Sequence, residues 1–167
     1  MRSAVLLAFL CAATPAVAEP GGLRPQAHAD LGLSVIGLGY ERPVAAHVAI
    51  AGQAGIFGTY FLPWFDRGDD VQGLQLGARV TWFARTTGRG FYVAPYLRGV
   101  GVRGRADGQR GQGLGVTAGA FAGWAFGLGD RLDLRVGAGA QWIYFDAAPF
   151  AASTPFVALD LLVGYRR

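Results

Sequence analysis

The chain is 167 residues long, with 27 Gly, 8 Pro, 52% apolar residues, 16% charged residues and a formal net charge of +4. That apolar content excludes intrinsic disorder, and Gly plus Pro stays below the level of low-complexity chains. Frequent glycine also disfavours a helical domain, since each Gly inside a helix costs about 1 kcal/mol relative to Ala, so a single all-β domain is the first expectation.

At the N-terminus, Arg2 precedes an apolar run from Ala4 to Ala13, followed by Thr14-Pro15 and the small triplet Ala16-Val17-Ala18. This pattern predicts a secretory signal peptide over 1–18, cleaved after Ala18, with 19–167 forming the mature domain. The apolar run is shorter than the ~20 residues a membrane-spanning helix needs. A lipoprotein reading of Cys11 is weaker, because Ala8-Phe9-Leu10 lacks the small pair such a site requires. Cleavage removes the single Met and the single Cys, Met1 and Cys11. No disulfide, thiolate nucleophile or cysteine metal site is then expected. Every basic residue of the chain is Arg.

Further along, the dominant pattern is period-two alternation. Residues 30–41 carry Leu31, Leu33 and Val35 on odd positions, then Ile36, Leu38 and Tyr40 on even ones, which fits either a bulge or a break between two short strands. Pro20 and Pro25 argue against a long strand before His28. Residues 46–60 alternate loosely, with Val48, Ile50, Ala54, Ile56 and Tyr60 opposite His47, Gln53, Phe57 and Thr59. In 72–85, Leu74, Leu76, Ala78, Val80, Trp82 and Ala84 oppose Gln75, Gly77, Arg79, Thr81 and Phe83. Residues 91–103 are ambiguous: Phe91, Val93, Pro95 and Leu97 are odd, whereas Val100 and Val102 are even. Over 112–127 every even position is apolar and the odd ones are mostly Gly. That disfavours the competing reading of Gly115, Gly119, Gly123 and Gly127 as a packed transmembrane helix face. Residues 131–145 and 156–166 alternate in the same way.

The second face of these strands holds Gly with scattered Gln, Thr, Arg and Asp, too little charge for a soluble exterior. The alternation therefore predicts inversion: apolar side chains toward lipid, small and polar ones toward a lumen, aromatics at the interfaces. A soluble lipocalin-like barrel, with its apolar face inside, is the rival at the level of the fold. Connections are expected to alternate short (42–46, 85–90, 127–131) and long (61–71, 104–111, 146–155). Thr87-Gly88 and Gly129-Asp130 supply turns on the short side. Seven strands are clear, and outer-membrane barrels in bacteria have an even number. The expected architecture is all-β: a closed antiparallel up-and-down transmembrane β-barrel of eight strands, the extra one N-terminal.

With its signal peptide, its alternation and the ending Leu159-Asp-Leu-Leu-Val-Gly-Tyr-Arg-Arg167, the chain resembles the small bacterial outer-membrane β-barrels around the transmembrane domain of outer membrane protein A. The resemblance covers about 28–167. It implies an outer-membrane location, outer-membrane lipid and lipopolysaccharide as surroundings, and the barrel-assembly machinery as a partner in biogenesis, with Tyr165 as the terminal aromatic of an assembly signal. The family commonly stops at Phe, whereas here Arg166 and Arg167 follow.

The expected lumen set is Glu41, Gln53, Gln75, Arg79, Thr81, Arg98, Asp133, Arg135, Gln141 and Asp160. Charges buried in so narrow an interior must be paired, so Arg79, Arg98 and Arg135 are expected to meet Asp133, Asp160 and Glu41. A narrow ion or small-solute channel along the same residues is the alternative. Tyr60, Trp64, Trp82, Trp124, Trp142, Tyr144 and Tyr165 are the candidate interface aromatics, and Arg103, Arg105 and Arg110 candidate contacts to lipopolysaccharide phosphates. Catalysis has little to draw on: Ser34 and His47 lie on neighbouring strands, but nothing matches the close spacing of lipid-modifying barrel enzymes, which remain the weaker alternative. No cofactor or metal is expected, since Asp66, Asp69 and Asp70 lack a calcium-loop spacing. The tripeptide Arg67-Gly68-Asp69 is short enough to arise by chance. Nucleic acid is not an expected partner for a secreted chain of small excess charge. The composition thus favours a non-enzymatic envelope-structural or surface-interaction protein, and leaves the oligomeric state open.

Overall fold

The computed structural model describes residues 22–33, 35–58, 70–106, 109–147 and 150–166. The signal-peptide reading, Ser34, Tyr60, Trp64, Asp66 and Arg67-Gly68-Asp69 lie outside the described residues, as do the side chains of Asp70 and Arg105.

Eight antiparallel strands close a barrel in sequence order: β1 (Gln26–Gly32), β2 (Val35–Ala45), β3 (Val48–Gly58), β4 (Asp70–Phe83), β5 (Gly90–Ala106), β6 (Gln109–Leu128), β7 (Leu132–Ala147) and β8 (Phe150–Arg166). The missing strand is β1, which starts directly after Pro25. The phase change in 30–41 marks the β1–β2 hairpin: Leu31 faces outward at the end of β1, Val35 faces inward at the start of β2, and Ile36, Leu38 and Tyr40 then point out.

A ladder followed from Gln26 through Glu41, Ala51, Arg79, Tyr96, Gly119 and Gln141 reaches β8 at Phe156, about ten residues short of Arg166, the β8 partner of Gln26. That stagger tilts the strands strongly, as a narrow eight-stranded barrel requires. The closing ladder is the shortest, joining β1 to β8 only from Gln26↔Arg166 to Asp30↔Leu162. By contrast, β5 and β6 pair from Gly90↔Ala125 to Ala106↔Gln109.

The walls are unequal in height. β2 and β3 have 11 residues each, close to the ~9–11 that cross a bilayer, whereas β6 has 20 and β8 has 17. This corrects the expected loops. Residues 104–111 and 146–155 are not long loops, because pairing continues to Ala106↔Gln109 and to Ala147↔Phe150. Only 59–69 separates its strands by a long stretch. At the opposite end the turns are tight, and Gly88, Gly90 and Gly129 take positive φ there, the left-handed conformation that glycine adopts without a Cβ penalty.

The apolar face lies outside. Leu38, Leu74, Leu76 and Leu114 are exposed, while Arg79, Arg135 and Glu41 are buried, which excludes the lipocalin-like arrangement. Alternation in β5 runs unbroken, so Arg98, Val100 and Val102 all point inward.

Candidate functional site

The lumen gathers a dense set of polar side chains. Glu41, Gln53, Gln75, Arg79, Thr81, Arg98, Asp133, Arg135, Gln141 and Asp160 are all buried inside it. Gln26, His28, Asp30, Tyr92, Tyr96 and Thr117 join them; none of these six was in the expected set. Tyr92 and Tyr96 were hidden by the ambiguous face of 91–103, and Asp30 by the phase change at the β1–β2 hairpin.

Three ion pairs cross the barrel. Arg79 on β4 donates from Nη1 and Nη2 to both oxygens of Asp160 on β8, at 2.8 and 2.6 Å, and Tyr92 donates its hydroxyl to Asp160 Oδ2 at 2.6 Å. Arg135 on β7 grips Glu41 on β2 at 2.8 and 2.5 Å, while Gln26 donates to Glu41 Oε1 at 2.9 Å. Arg98 on β5 reaches Asp30 on β1 at 2.7 Å. Gln53 sits between these last two: with its amide oxygen toward the guanidinium, it accepts from Arg98 Nη2 at 3.0 Å and donates to Asp30 Oδ2 at 3.2 Å. A fourth pair, Arg166 with Asp133, joins the neighbouring strands β8 and β7 at the turn-side mouth. The expected pairing is therefore corrected: the acid that Arg98 meets is Asp30, and Asp133 is taken by Arg166. Among the described residues, the four lumen guanidiniums in these pairs match four carboxylates.

The two lower pairs form one network, because Thr81 accepts from Arg79 Nε and donates to Glu41 Oε2, each at 3.3 Å. Aromatic rings fill the remaining space. Arg79 lies over Phe121, Arg98 over Tyr96 and Arg135 over Phe83, at 5.4, 4.3 and 4.7 Å from the ring centroids. A guanidinium stacks on a ring face while its edge hydrogen-bonds. Gly123 and Gly137, paired in register, make room for this: a Cβ on either would sit 2.8 or 2.5 Å from the Tyr92 hydroxyl. Above the network Tyr96 donates to Gln141 Oε1 at 2.8 Å.

Both ends of the lumen are narrowed. Toward the hairpins, Val35, Phe57, Val71, Val100, Val102, Ile143, Phe145 and Phe156 form an apolar cluster. At the turn side Leu23, just before β1, packs against the second cluster, which includes Phe83 and Tyr92. Glu41 and Asp160 have both oxygens engaged by guanidinium, which leaves neither as an open base. His47, in the β2–β3 connection, donates from Nδ1 to the Phe83 carbonyl at 2.8 Å and stacks on Trp82 of β4. No group of three metal-ligating side chains occurs among the described residues.

On the outside, Trp82, Trp124 and Tyr165 are half-exposed near the tight turns, and Trp142 and Tyr144 higher up the β7 wall. Arg103 and Arg110 are exposed toward the β5–β6 hairpin, where position 105 pairs in register with Arg110.

No protein-family model and no curated protein matches the chain. Among solved structures, neisserial surface protein A is similar, at 13% identity over 86% of this chain and 93% of that one, with a TM-score of 0.51. The outer membrane protein Ail of Yersinia pestis matches at 11% identity over 87% of this chain and 99% of that one, with a TM-score of 0.47. The first likeness shows that the chain has the closed eight-stranded barrel fold of neisserial surface protein A.

Proposed function

We propose that the chain is a non-enzymatic bacterial outer-membrane β-barrel protein with a closed, side-chain-filled lumen and an envelope-structural or surface-interaction role. The observation that carries this reading is the inversion itself: paired Arg and carboxylate groups inside, and a belt of exposed Leu, Ile, Val, Trp and Tyr outside. A bilayer tolerates that exterior, whereas water does not. The tight turns and both termini then lie on the periplasmic side and the β5–β6 hairpin on the outer side, with the signal peptide removed on export. Trp82, Trp124 and Tyr165 mark one interface and Trp142 and Tyr144 the other, while Arg103 and Arg110 face lipopolysaccharide phosphates. Insertion runs through the barrel-assembly machinery, guided by the β8 terminus. Shared fold with a protein named for the cell surface supports the location, and carboxylates consumed by their own guanidiniums weigh against catalysis and conduction.

Fractionation with heat-shift electrophoresis tests the location: the folded chain is expected in the outer membrane, running as a compact detergent-resistant band until boiled. Recovery as a soluble periplasmic protein with no such band would sink the reading. In planar bilayers the folded barrel is expected to pass no steady current, and step-like conductance would replace the closed lumen with a channel.

A further inference from the structure

The outer wall of β4–β6 carries an arrangement that the lumen does not explain. Three outward-facing positions lie side by side in register, Leu74↔Gly101↔Leu114, and one repeat below them Leu76↔Gly99↔Val116. Each row has glycine at its centre, so a trough runs along β5 between apolar walls. One repeat above, the row becomes Gln72↔Arg103↔Gln112. The upper apolar row and the polar cap border an open cavity of about 750 Å³, with Ile56 on its flank.

Leu114 and Leu74 are the most exposed large apolar side chains among the described residues, at 77% and 73%. The glycines are not there for packing. A Cβ at Gly101 would meet only Leu114 Cδ2, at 3.9 Å, and one at Gly99 only the Leu76 carbonyl, at 3.9 Å. These are ordinary contacts, in contrast to inward glycines such as Gly73, Gly113 and Gly139, whose Cβ positions would collide with backbone. The fold would accept larger side chains here, and the trough stays open. At its head, Arg103 is flanked in register by two amides, and among the described residues no carboxylate pairs with Arg103 or with Arg110 on the adjacent strand.

An apolar trough headed by the Arg103 guanidinium and the Gln112 amide is complementary to an amphiphile with a phosphate head. Arg suits phosphate through its fork of N–H donors, and Gln supplies further donors. We propose that this groove is a specific site for one acylated lipid of the outer leaflet whose phosphate head carries net negative charge, its phosphate on Arg103 and one chain lying over Gly101 and Gly99. The proposal rests on the outer-membrane reading and deepens it, because it turns general lipid contact into a single stoichiometric site.

The test is native mass spectrometry of the folded chain released from detergent in the presence of a bis-phosphorylated lipid A, a zwitterionic phosphatidylcholine, or inorganic phosphate alone. Wild type is expected to retain one lipid A, with phosphatidylcholine retained about tenfold less and inorganic phosphate competing poorly. Arg103→Gln is expected to lower lipid A retention about tenfold by removing the head contact. Gly101→Leu is expected to lower it similarly by filling the trough, and a normal heat-shifted band for both variants shows that folding is intact. Equal retention of both lipids, or lipid A binding indifferent to both substitutions, overturns the site in favour of a general lipid shell. Loss in Arg103→Gln alone, with full competition by inorganic phosphate, overturns the acyl trough and leaves a phosphate contact. Failure of wild type to give a folded band in lipid would instead overturn the membrane reading, and the groove with it.

Discussion

Inside the barrel, one unbroken alternation points Arg79, Arg98 and Arg135 at carboxylates in the turn-side and central lumen, and Val100, Val102, Phe145 and Phe156 at one another near the hairpins. Backbone geometry is the same in both regions, so their difference is set by side chains alone. In the polar region each group needs one particular partner, because a buried guanidinium without its carboxylate keeps the whole desolvation penalty. In the apolar region any side chains of the right volume suffice. The lumen is therefore specific where it is charged and merely full where it is apolar.

The largest effect expected is in the polar region. Asp160→Ala strands Arg79 and the Tyr92 hydroxyl together, and should cost about 3–5 kcal/mol in equilibrium unfolding by denaturant. Replacing both partners, Arg79→Met with Asp160→Leu, should recover most of that loss, since matched apolar groups often substitute for a buried pair without penalty. A single-variant cost under about 1 kcal/mol would show that water reaches Arg79 and that the contrast between the regions is false. Next comes Phe57→Ala in the apolar region, expected to cost about 3 kcal/mol through the cavity it leaves. The same variant should still pass no current in planar bilayers, because the ion-paired region below it remains shut; a current would make the apolar cluster the true seal. Smallest is Tyr96→Phe, which removes only the hydroxyl bonded to Gln141 and keeps the ring stacked on Phe121. About 1 kcal/mol is expected from the same unfolding curves.

Much of the barrel was legible as period-two alternation, and β4, β6, β7 and β8 were visible because their outward residues form an apolar belt. The misread stretches are those where β5–β8 rise past that belt. Around Arg103, Arg110 and Gln112 the outward face becomes polar while Gly111 and Gly113 line the inside, so the contrast between faces vanishes although strand pairing continues. Position 151–155, Ala-Ala-Ser-Thr-Pro, loses contrast in the same way. The β1–β2 hairpin left only a change of phase. In the lumen, which residues face inward followed from parity, but which acid meets which guanidinium depends on stagger around the barrel. That stagger brings Asp30 to Arg98 across the interior, and alternation within single strands carries no trace of it.

The short ladder between β1 and β8 makes the barrel a cylinder with a weak weld. Each welded strand is also tied to the far wall, β1 through Asp30 to Arg98 and β8 through Asp160 to Arg79. Prying the weld apart sideways would thus load two internal crossbars in tension before the last backbone bonds of the seam could part, so resistance to opening comes from the interior as much as from the edge.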